Sequence, residues 1–159
     1  MMLEEPELSL LARRRVEGEI LKPVYEALRE RLGEAAAREI LSLAIKRTAR
    51  ATGQKLALEM GGGDLANLIA LQPLWQKGQA LTVEVLAQDA ARFDYNVTHC
   101  AYAAMYRQIG LGEMGFLLSC NRDEAFIEGF APNIELTRTQ TLMEGAPFCD
   151  FRYRIRAGS

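Results

Sequence analysis

The residues that could do chemistry in this chain lie in its second half: Cys100, Cys120, Asp123, Arg138 and Cys149, with the single histidine, His99, beside the first thiol. A cysteine whose proton is drawn off by a nearby cation or helix terminus attacks electrophilic carbon. A carboxylate can instead activate water and return the proton to a leaving nitrogen. Cys120 and Asp123 are three positions apart, which puts both side chains on one face of a helix. Cys120, Asp123, Cys100 and Cys149 are therefore the catalytic candidates. Each thiol also fits a small buried apolar side chain, and the residues alone do not choose. His99 suits a cap or the surface as well as a site, because adjacent helical positions diverge by about 100°. Three cysteines and a histidine suffice in number for tetrahedral zinc, but their spacing matches no zinc motif. A site without metal or cofactor is the expectation, and zinc held by Cys100, Cys120 and Cys149 is the alternative. Gly61-Gly62-Gly63 lacks the Gly-Lys-Ser/Thr and the preceding strand of a phosphate loop and reads as a hinge. Neither a Gly-x-Ser-x-Gly elbow nor a dinucleotide fingerprint occurs.

The elements that must position these residues follow from periodicity. Leu8, Leu11, Val16, Ile20, Val24 and Leu28 recur with helical rhythm up to Gly33, with Pro23 expected to kink or restart the helix. Arg13, Arg14 and Arg15 on it read as a solvated face. A second helix is expected from Glu34 to about Thr52, with Ala36, Ile40, Leu43, Ala44 and Thr48 on its apolar face and Gly53 as its stop. Asp64 suits the N-cap of a third, through Trp75. From Leu81 the rhythm becomes alternating. Leu81, Val83 and Val85 predict one strand, and Phe93, Tyr95 and Val97 predict its hairpin partner around Gln88-Asp89. Thr98 is expected to cap a helix carrying Cys100 to about Ile109, and another helix is expected from Gly112 to Phe130. Two strands follow, Ile134 to Leu142 with Arg138 in it, and Phe148 to Ile155 with Cys149, Phe151 and Tyr153 on one face. The order helices, hairpin, helices, hairpin predicts an α+β fold, with an antiparallel sheet of about four strands covered on one face by helices.

The 159 residues suit one domain, 1–159, divided into a helical half, 1–78, and a hairpin–helices–hairpin half, 79–159, that carries the candidate site. Nineteen Lys and Arg against 21 Asp and Glu leave no basic excess for nucleic acid. The longest apolar run is broken by Asn67, Gln72 and Pro73, too short for a membrane span. The acidic opening is unlike a secretory leader, and the sparse, odd set of cysteines fits free thiols. A cytoplasmic protein with a small-molecule partner is expected, and self-association into a homo-oligomer is left open.

Three segments have a recognisable pattern: Cys120-Asn121-Arg122-Asp123-Glu124-Ala125-Phe126, Leu136-Thr137-Arg138-Thr139-Gln140-Thr141, and Gly145-Ala146-Pro147-Phe148-Cys149-Asp150-Phe151. Together with Thr98 to Gly115 and, more weakly, Glu17 to Gly53, they resemble the L-2-amino-thiazoline-4-carboxylic acid hydrolase family. The resemblance implies hydrolysis of a cyclic C–N bond in an amidine- or amide-like carboxylate, at the ring carbon between nitrogen and sulfur. Arg138 would then clamp the substrate carboxylate through its planar fork, with Thr139 and His99 also at the substrate. The last segment is similar, too, to the end of 4-vinyl reductase-type ligand-binding domains. That likeness implies a non-catalytic binding or sensing module as the alternative.

Overall fold

The structure, a computed structural model, describes residues 7–158. The acidic opening lies largely outside them. Helix α1 (Leu10–Leu32) starts at Ser9, whose hydroxyl accepts from the Ala12 N–H at 3.1 Å. It runs through Pro23 without a break. Pro23 and Glu19, whose carbonyl loses its helical partner, are both exposed, so the missing hydrogen bond falls on the solvent side of the helix. Gly33, at φ 84°, turns the chain into α2 (Glu34–Glu59). Helix α3 (Leu65–Gln76) is capped as expected, Asp64 accepting from the Asn67 N–H at 2.7 Å.

Two expectations for α2 are corrected. Its buried face is Ala37, Leu41, Ile45, Ala49 and Gly53, one position away from the expected one, and Ile40 and Leu43 are exposed. Gly53 is no stop. The helix passes through it, and glycine is required there because a Cβ would lie 2.3 Å from the Phe126 carbonyl oxygen. Small side chains, rather than the most apolar ones, mark the face where another helix backbone comes close.

Strands β1 (Leu81–Gln88) and β2 (Arg92–Cys100) form the expected hairpin. With β3 (Ile134–Thr137) and β4 (Cys149–Ile155) they build one antiparallel sheet in the order β1-β2-β4-β3. No described segment of the first half enters it. Tyr95 stands opposite Phe151, with rings stacked at 4.9 Å, and Val97 stands opposite Cys149. These side chains face α3, residues of α2, and α5 (Arg122–Phe130). On the other face Asp94 pairs with Arg154, and Arg152 donates to Asn96. A second apolar cluster joins α1, α2 and α4 (Ala101–Gln108). Among the described residues no helix is long and apolar enough to cross a membrane.

Three further boundaries differ from expectation. Cys100 ends β2 instead of sitting within a helix, and it, not Thr98, caps α4, its Sγ accepting from the Ala103 N–H at 3.4 Å. The segment Gly112 to Phe130 is not one helix. A 3-10 turn (Gly112–Met114) and a π turn (Phe116–Cys120), closed by the Asn121 N–H donating to the Phe116 carbonyl, precede α5. Strand β3 stops at Thr137, so Arg138 lies in the loop beyond it.

Candidate functional site

The two apolar clusters do not close completely on each other. Between them lies a cavity of about 130 Å³, with room for a small ring compound. Trp75, Phe126 and Phe151 supply aromatic wall, and the thiols of Cys100, Cys120 and Cys149 all reach it. A side chamber of about 50 Å³ shares Asp123, Trp75, Phe126 and Phe151 as wall, with Gln72, Tyr95 and Tyr153 beyond.

Asp123 stands in the first turn of α5, immediately after the π turn that ends at Cys120. A π turn adds one residue to the ring closed by each hydrogen bond and so re-aims the side chains that follow it; such turns are frequent at functional sites. The junction is tied to α2 by the Asn121 amide donating to the Ser42 hydroxyl at 3.0 Å. Glycines then set α5 close to α2: a Cβ on Gly129 would meet the Arg50 carbonyl oxygen at 2.1 Å, the reciprocal of the contact at Gly53.

Arg138 reaches the same place from the loop after β3. One terminal nitrogen donates to Asp123 Oδ2 and the other to the Cys120 carbonyl at 3.1 Å. Its guanidinium lies between the rings of Phe151 and Phe116, 5.2 and 5.7 Å from their centres. The Arg138 side chain is 7% exposed and that of Asp123 28%, the latter facing the cavity. Burial raises the Asp123 pKa, and the Arg138 cation opposes it without cancelling it. Burial pulls Arg138 down, but the Asp123 carboxylate, together with Cys120 and Cys149, more than reverses this, so the guanidinium stays charged.

Burial also lifts all three thiols. For Cys120 the Asp123 carboxylate adds to burial and outweighs Arg138. Cys149, whose Sγ accepts from the Leu142 N–H at 3.2 Å, is pushed up to about 11. Burial raises Cys100 against the N–H groups of Ala103 and Tyr102. A thiolate is therefore scarce in this cavity near neutral pH. Among the described residues no three His, Cys, Asp or Glu side chains are grouped as metal ligands.

The structure thus brings Cys100, Cys120, Asp123, Arg138 and Cys149 to one cavity. Two other candidates are elsewhere. His99 is exposed on β2, opposite Thr82, outside the cavity wall. Thr139 is exposed, its N–H and hydroxyl donating to Asp150 at 2.9 and 2.6 Å, and the Gln140 N–H joins them at 2.9 Å. These bonds hold the loop that presents Arg138. Arg14 and Arg122 line the cavity although neither was singled out for it. A signal for Arg14 existed: four positions separate it from both Leu10 and the buried Gly18, which places it on the inner face of α1 while Arg13 and Arg15 point outward.

A family model described as L-2-amino-thiazoline-4-carboxylic acid hydrolase matches residues 13–153. No curated protein matches the chain significantly. Among solved structures, the chain is similar to the phenol-responsive sensory domain of the transcription activator PoxR, determined with phenol. Identity is 12% over 97% of this chain and 79% of that one, with a TM-score of 0.54. It is also similar to a trafficking protein particle complex subunit 3 from Naegleria fowleri, covalently bound to palmitic acid. Here identity is 11%, over 89% of this chain and 96% of that one, with a TM-score of 0.51. Both likenesses are of fold.

Proposed function

The chain belongs to the L-2-amino-thiazoline-4-carboxylic acid hydrolase family, and from that premise we propose that it hydrolyses a cyclic C–N bond in a small amidine- or amide-like carboxylate. One observation carries the proposal: a carboxylate, Asp123, on the wall of a mostly apolar cavity, steadied by Arg138. Of the two chemistries open to these residues, water activated by Asp123 is favoured over attack by a thiolate, because burial keeps Cys100, Cys120 and Cys149 protonated.

In the proposed reaction, water oxygen bonds to the ring carbon between nitrogen and sulfur while Asp123 takes one water proton. The ring C–N bond then breaks. Asp123 returns its proton to the departing nitrogen, the second water proton follows, and the nitrogen leaves as an amine while the oxygen becomes a carbonyl. No oxidant or reductant is consumed. A raised pKa suits the task, since a stronger base takes the proton more readily. Arg138 acts as a positioning residue, holding Asp123 and keeping its charge available. The reaction is assigned to the cytoplasm, where free thiols persist.

The test is turnover of aminothiazoline carboxylate and of related cyclic ureas and hydantoins by the purified protein, with and without chelator. Ring opening of at least one, unaffected by chelator, is expected. A second reading, a non-catalytic sensing or binding module, is favoured by the likeness to a phenol-responsive sensory domain and by the burial that raises the thiol pKa values. Saturable binding without ring opening would establish it.

A further inference from the structure

The ion pairs around the cavity do not balance. Asp123 and Arg138 neutralise each other. On another part of the wall, Arg14 from α1 and Arg122 from α5 share one acid, Glu17. Arg14 Nη1 donates to its two oxygens at 3.2 and 2.9 Å, and Arg122 Nη2 donates to Glu17 Oε2 at 3.1 Å. Arg122 Nε is spent on the Leu118 carbonyl at 2.7 Å. Two guanidiniums against one carboxylate leave one positive charge in excess among the described residues. Both arginine side chains are largely buried, 14% and 11% exposed, and both line the cavity, whereas Glu17 is 35% exposed and is not part of its wall. Burial first, and then the like charge of Arg14, lowers the Arg122 pKa. A buried excess charge is costly unless something compensates it.

We propose that Arg14 and Arg122 form the anion subsite of the cavity and take the carboxylate of a small ring compound, a role that Arg138, engaged by Asp123 and the Cys120 carbonyl, leaves open. The inference rests on the hydrolase reading above only for the identity of the ligand. A single negative charge completes the balance, so a monocarboxylate is preferred to a neutral or doubly charged ligand. The aromatic wall of Trp75, Phe126 and Phe151 faces the ring, and the carboxylate held on Arg14 and Arg122 directs the opposite end of the ligand towards Asp123.

Calorimetric titration of L-2-aminothiazoline-4-carboxylate and its uncharged 4-carboxamide tests this by binding, independently of turnover. The wild type should prefer the carboxylate by about ten- to a hundredfold, the range for hydrogen bonds to a charged group. Arg14→Gln and Arg122→Gln each remove the excess charge and should reduce that preference to less than threefold, with carboxamide binding little changed. Glu17→Gln, which frees both guanidiniums without deleting either, should strengthen the preference, and melting curves of all variants confirm folding. A preference that survives both arginine substitutions, or that falls only in Arg138→Gln, overturns the inference. So does the absence of saturable binding by either compound. A charge preference lost on Arg14→Gln in a protein that never opens the ring sustains the subsite and refutes the hydrolase reading. Ring opening with the preference intact does the reverse.

Discussion

Asp123 is raised by burial and restrained by cations, Arg138 foremost and then Arg14 and Arg122, and both effects can be measured. A base must be deprotonated to act, so kcat/KM should fall as pH drops through its pKa. That acid limb should lie above the range of an ordinary aspartate, about 3.9. Arg138→Gln removes the foremost restraining cation, so the limb should move to still higher pH; a limb that stays in place would separate Arg138 from Asp123. The thiols give the opposite expectation. Cys120 is held protonated by burial and by Asp123, so Cys120→Ala should keep turnover within about tenfold, and iodoacetamide should label the protein slowly at neutral pH. A loss of more than a hundredfold would restore the thiolate route.

At the scale of elements, the site depends on two backbones approaching closely and on one loop. Gly53→Ala should force α2 and α5 apart, because the new Cβ meets backbone rather than a side chain that can swing away. Overpacking of this kind costs about 1–3 kcal/mol, read as a melting temperature lower by ~2–12 °C. An unchanged melting curve would show that α5 is not held as described. The loop bearing Arg138 hangs on Asp150. Burial raises that carboxyl, but the donors on Thr139 and Gln140 outweigh it and the net shift is downward. Its contribution, about 1 kcal/mol after solvent screening, is present above the unfolded value near 3.9 and is lost as pH falls through the lower folded value. The urea midpoints of the wild type and Asp150→Asn should therefore differ at pH 7 and converge in acid. The strands β1, β2 and β4 were legible because one face of each carries mostly polar residues, which writes a period of two into the sequence. The buried face of α2 was not, because Ala37, Ala49 and Gly53 are chosen for smallness, and apolarity points instead to the exposed Ile40 and Leu43. The π turn left no mark, since Gly115 and Asn121 on either side of it have ordinary helical φ and ψ angles and only tertiary contacts decide which carbonyl Asn121 finds. Cys120, Asp123, Arg138 and Cys149 could be picked from type and spacing. The claim of Asp123 on Arg138 could not, because it depends on where a loop lands after β3.

For the whole molecule, the cavity lies where the sheet's core meets the helical one, so anything that binds there ties the two clusters together. A ligand that binds only the folded chain stabilises it by about 2.7 kcal/mol at a hundred times its Kd. A cyclic carboxylate should thus raise the melting temperature by several degrees, with no effect from a ring too bulky for about 130 Å³. The central claim is that Asp123 moves the proton when the ring opens. The most direct measurement compares wild type and Asp123→Asn with aminothiazoline carboxylate, following ring opening by mass spectrometry and binding by calorimetry in the same preparations. The account predicts binding within about tenfold of wild type and ring opening slower by roughly 10²–10⁴. Ring opening by the asparagine variant at a near-normal rate would contradict it.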